Sequence, residues 1–95
     1  MEDARLDLTL LIVSYHSLEP LKGFFESYRR HPITASHEIL VLDNAPGDGT
    51  AAHLEREVPE ARVLPMSGNG GYARAVTAGI EAGRGRHFLV INPDV

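Results

Sequence analysis

Two carboxylates stand where apolar runs of this chain give out. Asp43 closes "HEILVLD" (37–43), and Asp94 follows "HFLVINP" (87–93) with only Val95 after it. A carboxylate leaving a buried strand can accept from a base N–H or a ribose hydroxyl. It can equally cap its own turn, and "DNAPGDG" (43–49) is rich in turn formers, so residue type leaves both roles open for Asp43. Asp94 is held beyond its strand by Pro93, which ends the ladder and keeps Asn92 extended. One carboxylate is a poor cage for a divalent cation. Mg²⁺ or Mn²⁺, however, often takes one or two carboxylates together with substrate phosphate oxygens, which fits a metal–diphosphate site. A turn or helix-cap aspartate is the plain alternative.

Between the two lies "SGNGGYARA" (67–75). Glycines before a helix allow close backbone approach, and the helix start offers unpaired N–H groups to phosphate. Arg74, in the first helical turn, adds a side-chain charge. The alternative is a flexible turn with a solvated arginine. Gly68-x-Gly70-x-x-Ala73 also matches the dinucleotide fingerprint, with Asp94 where a ribose-binding acid would sit. That fingerprint belongs to the first βα turn, which here reads "SYHS" (14–17) and has no glycine. The histidines (16, 31, 37, 53 and 87) show no ligand spacing, and His31, His37 and His53 read as solvated. The absence of cysteine removes disulfides, thiolate zinc sites and cysteine nucleophiles.

The elements that must position these groups alternate. "LTLLIVSY" (8–15), "HEILVLDN" (37–44) and "HFLVIN" (87–92) are continuous apolar runs, as strands covered on both faces require. "ARVLPM" (61–66) is weaker, and Pro65 suits a sheet edge or a strand end. Leu18, Leu21, Phe24, Phe25 and Tyr28 mark a helix from Leu18 to Arg30, with Ser17 as its N-cap and His31-Pro32 as its stop. A short helix spans about Thr50 to Glu57. A third runs from about Gly71 to Gly83, with Tyr72, Val76, Gly79 and Ile80 on one face and small residues for close packing. The order β-α-β-α-β-α-β predicts a Rossmann-like α/β fold: a parallel sheet with right-handed crossovers and helices on both faces. Ligands of such sheets bind beyond the carboxyl ends of the strands. Ser14 to Ser17, Asp43-Asn44, Met66 to Gly71 and Asn92 to Asp94 all fall there.

With 95 residues the chain is one domain at most. Its hydrophobic fraction of 43% and charged fraction of 23% are those of a globular domain. A net charge of −4 without a basic run argues against nucleic acid as a partner. The acidic start, "MEDARLDLTLLIVSY", is not a secretory signal, and its apolar run is too short to span a bilayer.

Taken together, "LLIVSYHSLEPL", "EILVLDNAPGDGT", "GNGGYARAVTAGI" and "FLVINPD" resemble the inverting family 2 glycosyltransferases, in that family's order and spacing, over nearly the whole chain. They look most like the bacterial branch that transfers rhamnose and related sugars, with Asn-Pro-Asp in place of Asp-x-Asp. The resemblance implies the first half of a GT-A fold, with sheet order 3-2-1-4. It implies that Val13 and Tyr15 border the nucleotide and that Asp43 contacts the base. Asn69, Gly71 and Arg74 would line the diphosphate. Asp94, with Asn92, would take the metal position for Mg²⁺ or Mn²⁺. Thr77 stands where the family often has asparagine. The donor would be a UDP- or dTDP-type sugar, and the setting cytoplasmic, at or near the membrane face. Such enzymes continue to acceptor-binding strands and a general base, which the resemblance puts after Val95. Residues 1–95 would then be a donor-binding half without a catalytic residue, inactive in isolation and open to self-association through its 88–91 edge. A dinucleotide-binding domain of an oxidoreductase and a non-catalytic scaffold are the alternatives.

Overall fold

Each apolar run becomes a strand and each stripe a helix in the computed structural model, which describes residues 5–66 and 71–93. Strand β1 is Leu6–Ser14, helix α1 Leu18–Arg30, β2 His37–Asp43 and α2 Thr50–Glu57. They are followed by β3 Ala61–Pro65, α3 Gly71–Ala82 and β4 Gly85–Ile91. The four strands form one parallel sheet in the order β3-β2-β1-β4, the expected 3-2-1-4. Pro65 ends β3, an edge strand, where its missing N–H is tolerated.

Successive side chains of a strand point to opposite faces, and the two cores follow that parity. Leu10, Ile12, Ile39 and Val41 pack with Leu21 and Phe25 of α1 and Leu54 of α2. Leu11, Leu40 and Leu42 pack on the other face with Ala75 of α3. Both faces of β1 and β2 are therefore covered, and their apolar runs are continuous for that reason. Strand β4 differs. It is an edge, and Leu89 is half exposed.

Helix α3 meets the sheet through its small residues, as expected, but the large residues of the expected face do not all join them. Ala75 and Gly79 are buried, whereas Tyr72 and Ile80 are exposed. A Cβ at Gly79 would come within 2.7 Å of a Leu11 methyl, so only a glycine lets the helix lie this close. Ser17 precedes α1 but does not cap it. Its hydroxyl donates to the Tyr15 carbonyl and accepts from the Tyr15 N–H, so it braces the loop. His37 is not a solvated loop residue either. It opens β2, half-buried, with Nδ1 2.8 Å from the Ala35 carbonyl and Nε2 2.6 Å from the Tyr28 hydroxyl. A carbonyl only accepts, so Nδ1 carries the proton, and in a neutral ring Nε2 accepts from Tyr28.

A polar network closes the amino-terminal rim of the sheet. The Thr9 hydroxyl donates to Glu38 at 2.8 Å and accepts the Gly85 N–H at 2.8 Å, while the Arg84 N–H donates to the same Glu38 oxygen. Three strands are thereby tied at one end, opposite the rim that carries the candidate site.

Candidate functional site

The strand ends that should carry chemistry are fastened to one another by backbone. The Asn44 N–H donates to the Ser14 carbonyl at 2.8 Å, and the Met66 N–H to the Asp43 carbonyl at 2.8 Å. The Asn44 side-chain amide lies 3.5 Å from the Gly71 carbonyl, linking the end of β2 to the start of α3. Gly71 itself has φ 68°, in the left-handed region where glycine carries no steric cost.

Three groups of side chains occupy this rim. The first lies beneath the loop after β2. Asp43 continues the parity of Ile39 and Val41, and so points to the α1–α2 face, fully buried. One carboxylate oxygen accepts the Ala45 N–H at 3.0 Å; the other has no partner. Asp43 therefore does brace its own turn, yet keeps an acceptor in reserve. Burial pushes this carboxyl above its ordinary range; the Ala45 N–H and His16 pull the other way, and nearby Asp48 adds to the rise. Asp48, just before the Gly49 N-cap of α2, accepts the Thr50 N–H at 2.9 Å. Burial opposes its ionisation too, but the Thr50 N–H, the Thr50 hydroxyl beside it and His16 hold it below the usual carboxylate range. Ser14 and Thr50 bring buried hydroxyl oxygens without a hydrogen-bond partner to the same region.

The second group is on the α3 face. A cleft of about 490 Å³ runs between the end of β3 and α3, lined by Asn44, Met66, Gly71, Arg74, Thr77 and Glu81. Arg74 is exposed, one turn into α3. The Thr77 hydroxyl is engaged by the Ala73 carbonyl at 3.0 Å. The third group lies where the strand order reverses, between β1 and β4. There Val13, Tyr72, Ile91 and Asn92 border a small cavity of about 90 Å³.

The site residues expected from sequence thus share one rim but divide between the faces of the sheet. Gly71 and Arg74 meet in the cleft, and Val13 meets Asn92 in the small cavity. Asp43 lies across the sheet from the cleft, next to Asn44, which lines it. Tyr15 stands 65% exposed beyond β1, its ring against that of His16. Asn69, Asp94 and Val95 lie outside the described residues, and so does the general base expected after Val95. Of the two residues expected from sequence to hold a metal, only Asn92, a neutral amide, is among the described residues. No cluster of three or more histidine, aspartate or glutamate side chains that could hold a cation occurs among the described residues. From sequence, Asp48-Gly49-Thr50 marks the entrance to α2, and Asp48 is not among the expected site residues.

Residues 9–95 match the family described as Glycosyl transferase family 2. This chain belongs to that family. A curated relative, the succinoglycan biosynthesis protein ExoO of Rhizobium meliloti (strain 1021), is 32% identical over 91 residues, which cover 93% of this chain and 25% of ExoO. The family 2 chain thus spans about a quarter of that relative's length. Among solved structures, residues 1–349 of S. aureus TarS align with TM-score 0.80 and 17% identity, covering 94% of this chain and 28% of the TarS chain. The mannosyltransferase PcManGT from Pyrobaculum calidifontis, solved with GDP-Man and Mn²⁺, aligns with TM-score 0.79 and 19% identity over 95% of this chain and 28% of its own. At such identities the likeness establishes the fold, which is that of GT-A glycosyltransferases.

Proposed function

We propose that this chain is the donor-binding part of an inverting glycosyltransferase that moves a sugar from a nucleoside diphosphate to an acceptor hydroxyl. The observation that carries the proposal is the buried Asp43 at the end of β2, with one carboxylate oxygen unpartnered, in a family 2 chain. A carboxylate there is an acceptor for a base ring N–H, which uracil, thymine and guanine all offer; our reading takes the donor as a UDP- or dTDP-sugar. Val13 and Tyr15 border the nucleotide in this reading, and Asn69, Gly71 and Arg74 face the diphosphate. Gly71 opens α3, so the free N–H groups of its first turn and the Arg74 guanidinium both suit phosphate.

Asp94, with Asn92, is the position we propose for Mg²⁺ or Mn²⁺; PcManGT, solved with Mn²⁺, supports a divalent cation in this fold. Bound there, the cation would neutralise charge on the departing diphosphate. The general base that deprotonates the acceptor is expected after Val95, so the isolated chain binds donor but transfers no sugar. We place the activity in the cytoplasm, at or near the membrane face. No helix among the described residues is long and apolar enough to cross a membrane. The exposed Leu89 and Val90 of β4 favour self-association of the isolated chain through that edge.

Calorimetric titration with UDP-, dTDP- and GDP-sugars, each with Mn²⁺, and separately with NAD, tests the reading. Saturable binding of a sugar nucleotide is expected, weakened when Mn²⁺ is withheld. Binding of NAD alone would favour an oxidoreductase domain and reject the transferase reading. A chain that bound none of them would be a scaffold.

A further inference from the structure

The rim opposite the candidate site is closed by one polar cluster around Thr9, a fully buried hydroxyl. Three strands meet there. Thr9 of β1 stands level with Glu38 of β2, and Gly85 opens β4 beside it. The Thr9 hydroxyl accepts the Gly85 N–H and donates to a Glu38 carboxylate oxygen, both at 2.8 Å. An N–H can only donate, so the hydroxyl must turn its one proton to Glu38. The same Glu38 oxygen accepts the Arg84 N–H, and the other lies 3.5 Å from the Arg84 guanidinium. The Leu6 N–H donates to the Arg84 carbonyl at 3.0 Å, a further tie between β1 and the entry to β4. A Cβ at Gly85 would collide with the Thr9 backbone and hydroxyl, so glycine is what lets β4 begin this close to β1.

We propose that Glu38 and Thr9 form an acid-sensitive clasp: the Glu38 carboxylate, through the Thr9 hydroxyl and the Arg84–Gly85 backbone, holds the amino end of the edge strand β4 onto β1 and releases it when protonated. The Thr9 hydroxyl and the Arg84 N–H converge on one carboxylate oxygen. Hydrogen bonds to an ionised acceptor are the strong ones, and a protonated carboxyl accepts more weakly while carrying a proton of its own. Strand β4 is where the loss is felt. Among the described strands it pairs with β1 alone, whereas β2 is held on both sides. Strand parity puts Asp7 of β1, Arg62 of β3 and Arg86 of β4 on the face that Glu38 shares, and Glu81 of α3 lines the cleft there. Arg84 is the charge that approaches the carboxylate. His37 and His87, one rung earlier, point to the opposite face. The donors outweigh the effect of burial on Glu38, in keeping with a clasp that is closed when the carboxyl is ionised. The far end of β4 leads to Asn92, which borders the small cavity with Val13 and Tyr72, so release of the strand loosens one wall of that cavity. The clasp does not depend on the nucleotide reading.

Amide hydrogen exchange read by NMR on the whole chain tests the clasp. The quantity followed is the protection factor of the β4 amides bonded to β1, relative to that of the β2 amides, at neutral pH and below the ordinary glutamate range. In the wild-type chain β4 protection should fall about tenfold relative to β2 on acidification, the scale of one hydrogen bond to a charged group. In Glu38→Gln, which has no charge to lose, the ratio should not move with pH. Thr9→Val keeps the side-chain shape and removes the hydroxyl, so it should lower β4 protection by about the same factor already at neutral pH. Thr9→Ser keeps the hydroxyl and should match the wild type. A ratio that stays constant in the wild type, or that falls as far in Glu38→Gln, overturns the proposal. Should Glu38→Gln fail to fold, the Thr9 pair decides at neutral pH: equal β4 protection in Thr9→Val and Thr9→Ser overturns it too.

Discussion

At the residue scale the controlling fact is a buried carboxyl with half of its hydrogen-bonding capacity unused. Asp43 is raised above its ordinary range, chiefly by burial. The folded state therefore favours its neutral form: the ionised carboxyl costs stability above the folded value, and that cost disappears as pH falls below the unfolded one. Asp43→Asn removes the cost while an amide oxygen can still accept the Ala45 N–H. The variant should melt at or above the wild-type temperature at neutral pH, yet bind sugar nucleotide about tenfold more weakly or worse, since it loses a charge-assisted bond. Differential scanning calorimetry and isothermal titration on one preparation would check both halves. A variant that lost stability and kept its affinity would mean that Asp43 serves only its own turn. The sequence displayed this aspartate clearly, because it terminates a continuous apolar run. The contact of His16 with Asp48 nearby was not legible. It crosses between loops, and the left-handed φ of His16 leaves no mark in residue type.

At the element scale, strands and helices fell close to where periodicity and capping put them, and α1 and α2 kept the expected bounds. Parity then decided which face each strand residue served. Contacts that depend on close approach were harder to anticipate. The small residues of "GYARAVTAGIEA" announced the close approach at Ala75 and Gly79, but not that Ile80 would stay exposed; the Leu11 methyl lies 2.7 Å from a hypothetical Cβ at Gly79. Nor did the sequence indicate that Thr9, Glu38 and the Arg84–Gly85 backbone would knit the far rim. Burial raises the Glu38 carboxyl, but the Arg84 N–H, the Thr9 hydroxyl and the Arg84 charge outweigh it and hold it below the ordinary range. A depressed carboxyl stabilises the fold above its unfolded value, and that contribution is lost as pH falls through the folded one. Urea midpoints should therefore drop from neutral pH to below the ordinary glutamate range, and drop less in Glu38→Gln. Parallel slopes for the two proteins would show that the network contributes nothing through its charge.

At the scale of the whole molecule, the sheet has two dissimilar edges. On one side β3 is short and ends in Pro65, a blunted edge. On the other, β4 runs for seven residues with Leu89 and Val90 exposed. Sedimentation velocity should find dimers or larger species at high concentration, and Leu89→Lys should shift the population toward monomer. A wild-type chain that sediments as a monomer throughout would remove the self-association proposal without touching the fold. The edge position of this strand followed from the order 3-2-1-4 that the family resemblance implied, whereas its continuous apolar run by itself read as a strand covered on both faces.

The order of that sheet also bears on its birth. Strand β1 is central, and its neighbour β4 is the last of the four described strands. During translation β1 can join β2 soon after both emerge from the ribosome. Roughly forty further residues, or a few seconds of synthesis, must pass before the other flank of β1 is zipped. For that interval the nascent polypeptide carries a bare, greasy seam at its centre, the kind of surface that chaperones clasp.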